Sequence, residues 1–154
     1  MISVERAIRI EAPADVAWEV LGDFTLSKLI EGILTHVTLE GSGVGTVRTM
    51  HLVAKFGGGY VKERLEEYDA VDRFMRYRMV DSGPIPFADY LGSIRVTPAG
   101  PAACVALMTA SFVPVDIDEG TARGISVGNI TQALENARKA VLESSQAAPR
   151  TRTN

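Results

Sequence analysis

The chain has 154 residues, 46% of them apolar and 23% charged, and a formal net charge of −3. This length and composition are typical of one globular domain, and the slight acidity argues against the basic surface on which nucleic acid binding depends. The single cysteine excludes a disulfide framework. The sequence also lacks metal-ligand spacing, a nucleotide fingerprint, an 18-residue apolar run and an N-terminal apolar signal core. We therefore expect a cytoplasmic protein with no metal, no cofactor and no membrane insertion.

The N-terminal part predicts one strand and two short helices. Polar and apolar residues alternate over 3–11, which is the period of a strand. Pro13 opens a helix, because proline is tolerated in a first helical turn, and Gly22 ends it. A second short helix is predicted over Leu26–Glu31.

Six more strands are predicted between residues 33 and 113. Glycine clusters at 41–45 and 57–59 and the prolines near residue 100 break the alternation into short runs. Such short connections force neighbouring strands to be antiparallel, because a parallel crossover needs about a dozen residues or more. The predicted strands are Ile33–Glu40, Thr46–Ala54, Tyr60–Tyr68, Phe74–Val80, Ala88–Val96 and Cys104–Val113.

A long amphipathic helix follows, over residues 118–145. Its apolar residues recur at spacings of three and four, which puts them on one face. This stripe consists of Val127, Ile130, Leu134, Ala137 and Val141. A helix with such a stripe needs a surface to cover, and the strands supply it. We predict one α+β domain over residues 1–145, in which a curved antiparallel sheet wraps around the helix and leaves a hollow. Residues 146–154 form a flexible polar tail.

The order of the predicted elements is similar to that of one known family, and four sequence motifs support this resemblance. The motifs are IEAPADVAWEVLGDF at 10–24, EGSGVGTVRTM at 40–50, KERLEEYD at 62–69 and PFADYLGSIRVTP at 86–98. With them the chain resembles the polyketide cyclase/dehydrase branch of the START-like (SRPBCC) superfamily. The resemblance implies a helix-grip fold with a seven-stranded sheet and a cavity for a small hydrophobic ligand. The chain departs from the family at LSKLIEGI (26–33) and at Met108, where the family often has Trp or His, so the ligand stays unidentified.

The period of two along each strand indicates which side chains line this cavity. Strand seven is small-sided on its inner face, which leaves volume that larger side chains would fill. For strand three the pattern is ambiguous, and the resemblance implies that Arg48, Met50 and Leu52 face inward. We expect a cavity of several hundred cubic ångströms, bounded by Phe112, Met108, Tyr90, Leu65 and Val127. The predicted lining residues are Met50, Leu65, Met79, Ile94, Met108 and Phe112 from strands and Gly124, Val127, Gly128 and Thr131 from the helix.

Four polar residues are predicted inside: Arg48, Glu63, Tyr77 and Tyr90. A buried charge is costly unless paired, so Arg48 and Glu63 on neighbouring strands are expected to pair. One interpretation makes them an anchor for a substrate carbonyl or enolate, with Tyr77 or Tyr90 as hydrogen-bond donor or general acid. The other makes them a structural ion pair.

The two histidines, His36 and His51, are weak candidates for a general base. Both are out of phase with the inward residues of their strands, which predicts surface positions.

The leading functional hypothesis is binding of a small hydrophobic, aromatic or polyketide-like molecule, with cyclase or dehydratase chemistry. A non-catalytic carrier of the same kind of ligand and a ligand-gated regulatory module are the alternatives. We expect a monomer or a homodimer.

Overall fold

The computed structural model describes the backbone of residues 1–29 and 32–150, and the side chains in these ranges up to residue 144. This part of the chain contains seven strands and two α-helices, numbered in chain order. The strands are β1 (Ile2–Ile10), β2 (Leu34–Glu40), β3 (Val47–Leu52), β4 (Tyr60–Asp69), β5 (Phe74–Asp81), β6 (Phe87–Pro98) and β7 (Cys104–Pro114), and the helices are α1 (Ala14–Leu21) and α2 (Glu119–Arg150). A 3₁₀ turn at Ala54–Phe56 lies between β3 and β4.

The seven strands form one antiparallel sheet in the order β1-β7-β6-β5-β4-β3-β2. Every strand from β2 to β7 pairs with its neighbour in sequence, and β1 closes the other edge by pairing with β7. Each strand begins and ends within two residues of its predicted bounds, so the α+β fold and the seven strands are confirmed. The strands could be predicted because polar and apolar residues alternate along a strand that is buried on one face.

The helix α2 packs across β1, β7 and α1. Its start is fixed by Asp118, whose Oδ1 accepts a hydrogen bond of 2.9 Å from the backbone N–H of Thr121 and so satisfies a donor that the helix leaves free. The side-chain and backbone hydrogen bonds from Thr121 lower the pKa of Asp118. The buried face of α2 consists of Ala122, Ser126, Ile130, Leu134, Ala137 and Val141, which is the predicted stripe with Val127 moved to its half-buried margin.

Two predicted boundaries differ from the structure. The second short helix does not form over 26–29, which makes turns instead; its last two residues, Ile30 and Glu31, lie outside the described residues. Leu26 has a φ of 57°, a left-handed conformation that a right-handed helix excludes. The other difference is that α2 continues to Arg150, so only residues 151–154 of the predicted tail remain outside the described part.

A bulge changes the phase of β6. The register shifts between Ala88 and Leu91, where Asp89 has a φ of 53°. Phe87 is buried as a result, and Ala88 stands opposite the exposed Val113. No helix in the described part of the chain is long and apolar enough to cross a membrane.

Candidate functional site

Arg48 and Glu63 form a buried ion pair on the inner face of the sheet. They stand directly opposite each other on β3 and β4, and they are 3% and 4% exposed. Both Nε and Nη2 of Arg48 donate to Oε1 of Glu63, at 3.0 and 2.6 Å. The predicted pairing and the inward direction of Arg48 are therefore what the structure shows.

The guanidinium of Arg48 is held between two aromatic rings. Its central carbon lies 4.1 Å from the ring centre of Phe24 and 4.8 Å from that of Tyr77, both within the range of a cation–π contact. Nη1 also donates to the carbonyl oxygen of Phe24 at 3.2 Å. Phe24 belongs to the turn after α1, so this turn helps to fix the charge in place.

The turn that carries Phe24 is tied together by Asp23. Its carboxylate accepts hydrogen bonds from the backbone and hydroxyl of Thr25 and from the hydroxyl of Ser27, at 2.6–2.9 Å. Partial burial acts to raise the pKa of Asp23, but these hydrogen bonds outweigh it and lower the pKa. Asp23 thus serves the local turn chemistry of this segment.

Tyr77 lies flat over a glycine of the next strand. A Cβ added to Gly92 would come within 2.4 Å of the Tyr77 ring, so only glycine leaves room for it. Burial, and then the charge of Glu63, raise the pKa of Tyr77. Burial, and then Tyr77 and Glu63, raise the pKa of Tyr90 as well. Both phenols therefore keep their protons at neutral pH, and neither hydrogen-bonds to a residue that the structure describes.

A cavity of about 600 Å³ opens at the end of the sheet where two connections meet. We call it the loop-end cavity. Its walls are Met79 and Val80 at the end of β5, the β5–β6 connection with the start of β6 (82–89) and the β7–α2 connection (115–117). The charged residues in this lining are Asp89 and Asp116, and neither forms an ion pair with a described residue.

Met79 connects the loop-end cavity to the buried ion pair. It lines the cavity, and on β5 it stands directly opposite Glu63 of β4. Glu63 is nearly inaccessible in this conformation, so a ligand in the cavity contacts it only if neighbouring side chains move.

The cavity differs in place from the prediction. Met79 is the single predicted site residue that lines it. Where the prediction put the hollow, Phe112 stacks on Phe87, with ring centres 4.0 Å apart, and on Tyr90, with ring centres 5.9 Å apart. Leu65, Ile94, Met108 and Phe112 are buried in the core cluster, Tyr90 and Val127 pack against it, and Met50 is half-buried on β3.

The predicted helix residues do not line the loop-end cavity. Gly124, Gly128 and Thr131 are exposed, and a Cβ added to either glycine would meet open space. They lie outside the buried stripe of α2, which packs on β1, β7 and α1.

Residues that the sequence did not single out shape the site. Phe24 contacts Arg48, and Ile85, Phe87 and Ile117 line the loop-end cavity. For Phe24 the signal was present in the motif that ends at residue 24. Ile85, Phe87 and Ile117 reach the cavity through the paths of the β5–β6 and β7–α2 connections. These paths depend on backbone conformations that the alternation of polar and apolar residues does not reveal. No group of three or more potential metal ligands occurs among the described residues.

The curved sheet around a long C-terminal helix defines a helix-grip protein. A family model described as polyketide cyclase / dehydrase and lipid transport matches residues 1–142. The chain therefore belongs to this family, within the START-like superfamily that the motifs indicated. No curated protein sequence matches the chain.

Solved structures share the fold at low sequence identity. The protein XoxI from Bacillus cereus superposes with a TM-score of 0.81 at 21% identity, over 94% of this chain and 99% of that one. Zhui aromatase/cyclase from Streptomyces sp. R1128 has a TM-score of 0.74 at 22% identity, over 99% and 96% of the two chains. Norcoclaurine synthase from Thalictrum flavum, in complex with dopamine and hydroxybenzaldehyde, has a TM-score of 0.76 at 23% identity, over 92% and 87%.

Proposed function

We propose that the protein binds a small hydrophobic molecule, aromatic or polyketide-like, and catalyses its cyclisation or dehydration. The observation that carries this proposal is the loop-end cavity of about 600 Å³. Two of its lining residues adjoin the polar residues, since Met79 stands opposite Glu63 and the Phe87 ring stacks on that of Tyr90. This volume is within the usual range for small-molecule sites. Family membership and the aromatase/cyclase among the similar structures support the same class of ligand.

The four polar residues fit the proton transfers that cyclisation needs. Both hydrogen bonds from Arg48 reach Oε1 of Glu63, which leaves Oε2 to accept a proton from an activated methylene. The electron pair moves onto the substrate carbonyl oxygen, and the Tyr77 or Tyr90 hydroxyl donates a hydrogen bond to the enolate that forms. Their raised pKa values keep both hydroxyls protonated at neutral pH, so each has a proton with which to form this hydrogen bond.

The lining of the cavity also selects the charge of the ligand. The aliphatic and aromatic side chains offer burial to an apolar molecule, whereas Asp89 and Asp116 place negative charge beside it. A carboxylate ligand would be repelled, so we expect a neutral or cationic molecule.

A non-catalytic carrier is the second candidate, and one observation favours it. Arg48 and Glu63 satisfy each other and are nearly inaccessible, as a structural ion pair would be. In that case the cavity alone would act, and the proton-transfer groups would never meet the ligand.

Tyr→Phe substitution distinguishes an enzyme from a carrier. It removes the hydroxyl donor and keeps the ring, and loss of one transition-state donor costs about 10²–10³ in rate. We expect Tyr77→Phe or Tyr90→Phe to lose that much turnover of a poly-β-ketone substrate, followed by chromatography, with little loss of affinity. Tyr68→Phe, on the exposed end of β4, is the matched control. If excess wild-type protein leaves the product ratio of the spontaneous reaction unchanged, the carrier hypothesis is the better one.

A further inference from the structure

Two histidines meet on the face of the sheet opposite the cavity. His36 of β2 and His51 of β3 stand directly opposite each other. Their rings are stacked, with centres 4.1 Å apart and planes inclined by 11°. The neighbouring inward residues, Val37 and Met50, form the next pair along the same two strands, which sets the imidazoles on the outer face.

A β-bulge brings a third side chain to this pair. The register of β2 shifts between Leu34 and His36, so Thr35 is the extra residue, and bulges commonly re-aim a side chain next to a site. The Thr35 hydroxyl lies 3.0 Å from Nδ1 of His36 and 3.4 Å from the carbonyl oxygen of His51.

One arrangement of these hydrogen bonds prepares His36 to bind a metal ion. In it the hydroxyl donates its single proton to the carbonyl oxygen of His51. Its oxygen then accepts from Nδ1–H of His36, which leaves the lone pair on Nε2. A metal-binding histidine is typically prepared in this way, with its other ring N–H held by an oxygen.

We propose that His36 and His51 bind a divalent transition metal ion, with water in the remaining positions. Imidazole is the ligand that Cu²⁺, Ni²⁺ and Zn²⁺ share, and Cu²⁺ binds most tightly in this series. Metal–nitrogen bonds of about 2.0–2.1 Å require two nitrogens roughly 3 Å apart. The stacked rings must turn so that an in-plane nitrogen of each points at the ion, and the exposure of His36 and half-burial of His51 leave room for these side-chain rotations. The site is independent of the proposed function.

A metal site at these histidines differs from the prediction from sequence that no metal binds. That prediction was based on ligands at short spacing along the chain, whereas these two residues are 15 positions apart and meet through strand pairing. Neither ring forms a salt bridge with a described residue, so no carboxylate there competes for the imidazoles.

Titration of the full, untagged chain with CuCl₂ in a non-chelating buffer tests the site. Calorimetry should give one Cu²⁺ per chain, and His36→Ala or His51→Ala should each weaken binding at least tenfold. Thr35→Val should weaken it about tenfold, since it removes the oxygen that orients His36. Thr38→Ala, another exposed residue of β2, should bind as the wild type does. In electron paramagnetic resonance, nitrogen couplings from two imidazoles should fall to one in each single variant.

A second measurement guards against loss of folding in the variants. Bound metal joins β2 to β3, so excess Cu²⁺ or Ni²⁺ should raise the thermal midpoint of the wild type, and of Thr38→Ala equally. The double variant His36→Ala/His51→Ala should unfold cooperatively with no such rise. Wild-type affinity in the double variant, or no binding to the wild type, would overturn the proposal.

Discussion

Among the described residues, Arg48 and Glu63 are the two charged side chains that are buried. An ion pair of this kind adds little net stability, because desolvation offsets most of the attraction between the charges. Removal of one partner is a different matter, since the other charge then stays in the core without compensation. The two rings that enclose Arg48 leave little room for water to enter.

A double-mutant cycle measures this dependence. Glu63→Gln and Arg48→Met should each lower the free energy of unfolding by about 3–5 kcal/mol, whereas the double variant should lose much less than the sum. Urea denaturation followed by circular dichroism gives the three values. Arg9 and Glu11 form an exposed pair in β1 and the residues after it, and Arg9→Met there should cost less than about 1 kcal/mol. Small and additive losses at residues 48 and 63 would contradict the buried pairing.

At the scale of elements, the strands were predictable and the connections were not. A strand buried on one face repeats every two residues, and β4 shows this plainly through Val61, Glu63 and Leu65. The inward direction of Glu63 could be predicted in this way even though it is charged. Arg48 needed the family resemblance, because both faces of β3 are partly apolar.

The position of the cavity could not be predicted, for physical reasons. The bulge at Asp89 turns Phe87 inward, and this bulge depends on a single residue adopting a left-handed conformation. The helix glycines were misplaced because periodicity gives the angle between residues on α2 but not which strand edge the helix covers. Both depend on tertiary packing.

Gly83 of the β5–β6 connection lines the loop-end cavity, and its position tolerates no side chain without strain. It has a φ of 49°, and a Cβ there would lie 1.9 Å from the carbonyl oxygen of Tyr60. Gly100 also has a positive φ, of 92°, but a Cβ there meets nothing within 4 Å. The first glycine is therefore constrained by both its backbone conformation and a collision, and the second by conformation alone.

The pair Gly83→Ala and Gly100→Ala separates these two effects. Gly100→Ala should cost about 1–2 kcal/mol through the left-handed conformation. Gly83→Ala should cost about 1–3 kcal/mol more, because the backbone of β4 must shift. Thermal and urea unfolding of both variants gives the comparison. Equal losses would mean that the connection adapts without strain.

At the scale of the whole molecule, α2 covers only one side of the concave sheet. It packs on β1, β7 and α1, while inner residues of β2 and β3 such as Leu39 and Met50 stay exposed or half-buried. The loop-end cavity lies near the start of α2, and its walls come mainly from the β5–β6 and β7–α2 connections and not from the helix. Gly57 and Gly59 of the β3–β4 connection lie beside Pro84 of the β5–β6 connection, within about van der Waals distance of an added Cβ.

Filling the cavity should block binding without unfolding the protein. Met79→Trp puts a large ring into it, and we expect the affinity for the neutral fluorescent probe N-phenyl-1-naphthylamine to fall at least tenfold, since apolar burial supplies most of such binding. Val71→Trp, on an 85% exposed turn residue, is the control. The anionic probe 1-anilinonaphthalene-8-sulfonate should bind the wild type more weakly than the neutral one. Unchanged fluorescence titration of Met79→Trp would place the ligand site elsewhere.

The pairing of β1 with β7 imposes an order on folding. Ile10 pairs with Cys104 and Ile2 with Phe112, whereas the other pairings join strands that follow one another. The pairing of β1 with β7 closes a long loop, and the entropic cost of closing it is offset only when the contacts with β7 form. These contacts cannot form before β7 has been synthesised. During synthesis at about 5–20 residues per second, β1 therefore waits about 5–20 s for its partner. The hairpins from β2 to β7 can form in that interval, and the first segment to be made is among the last to become native.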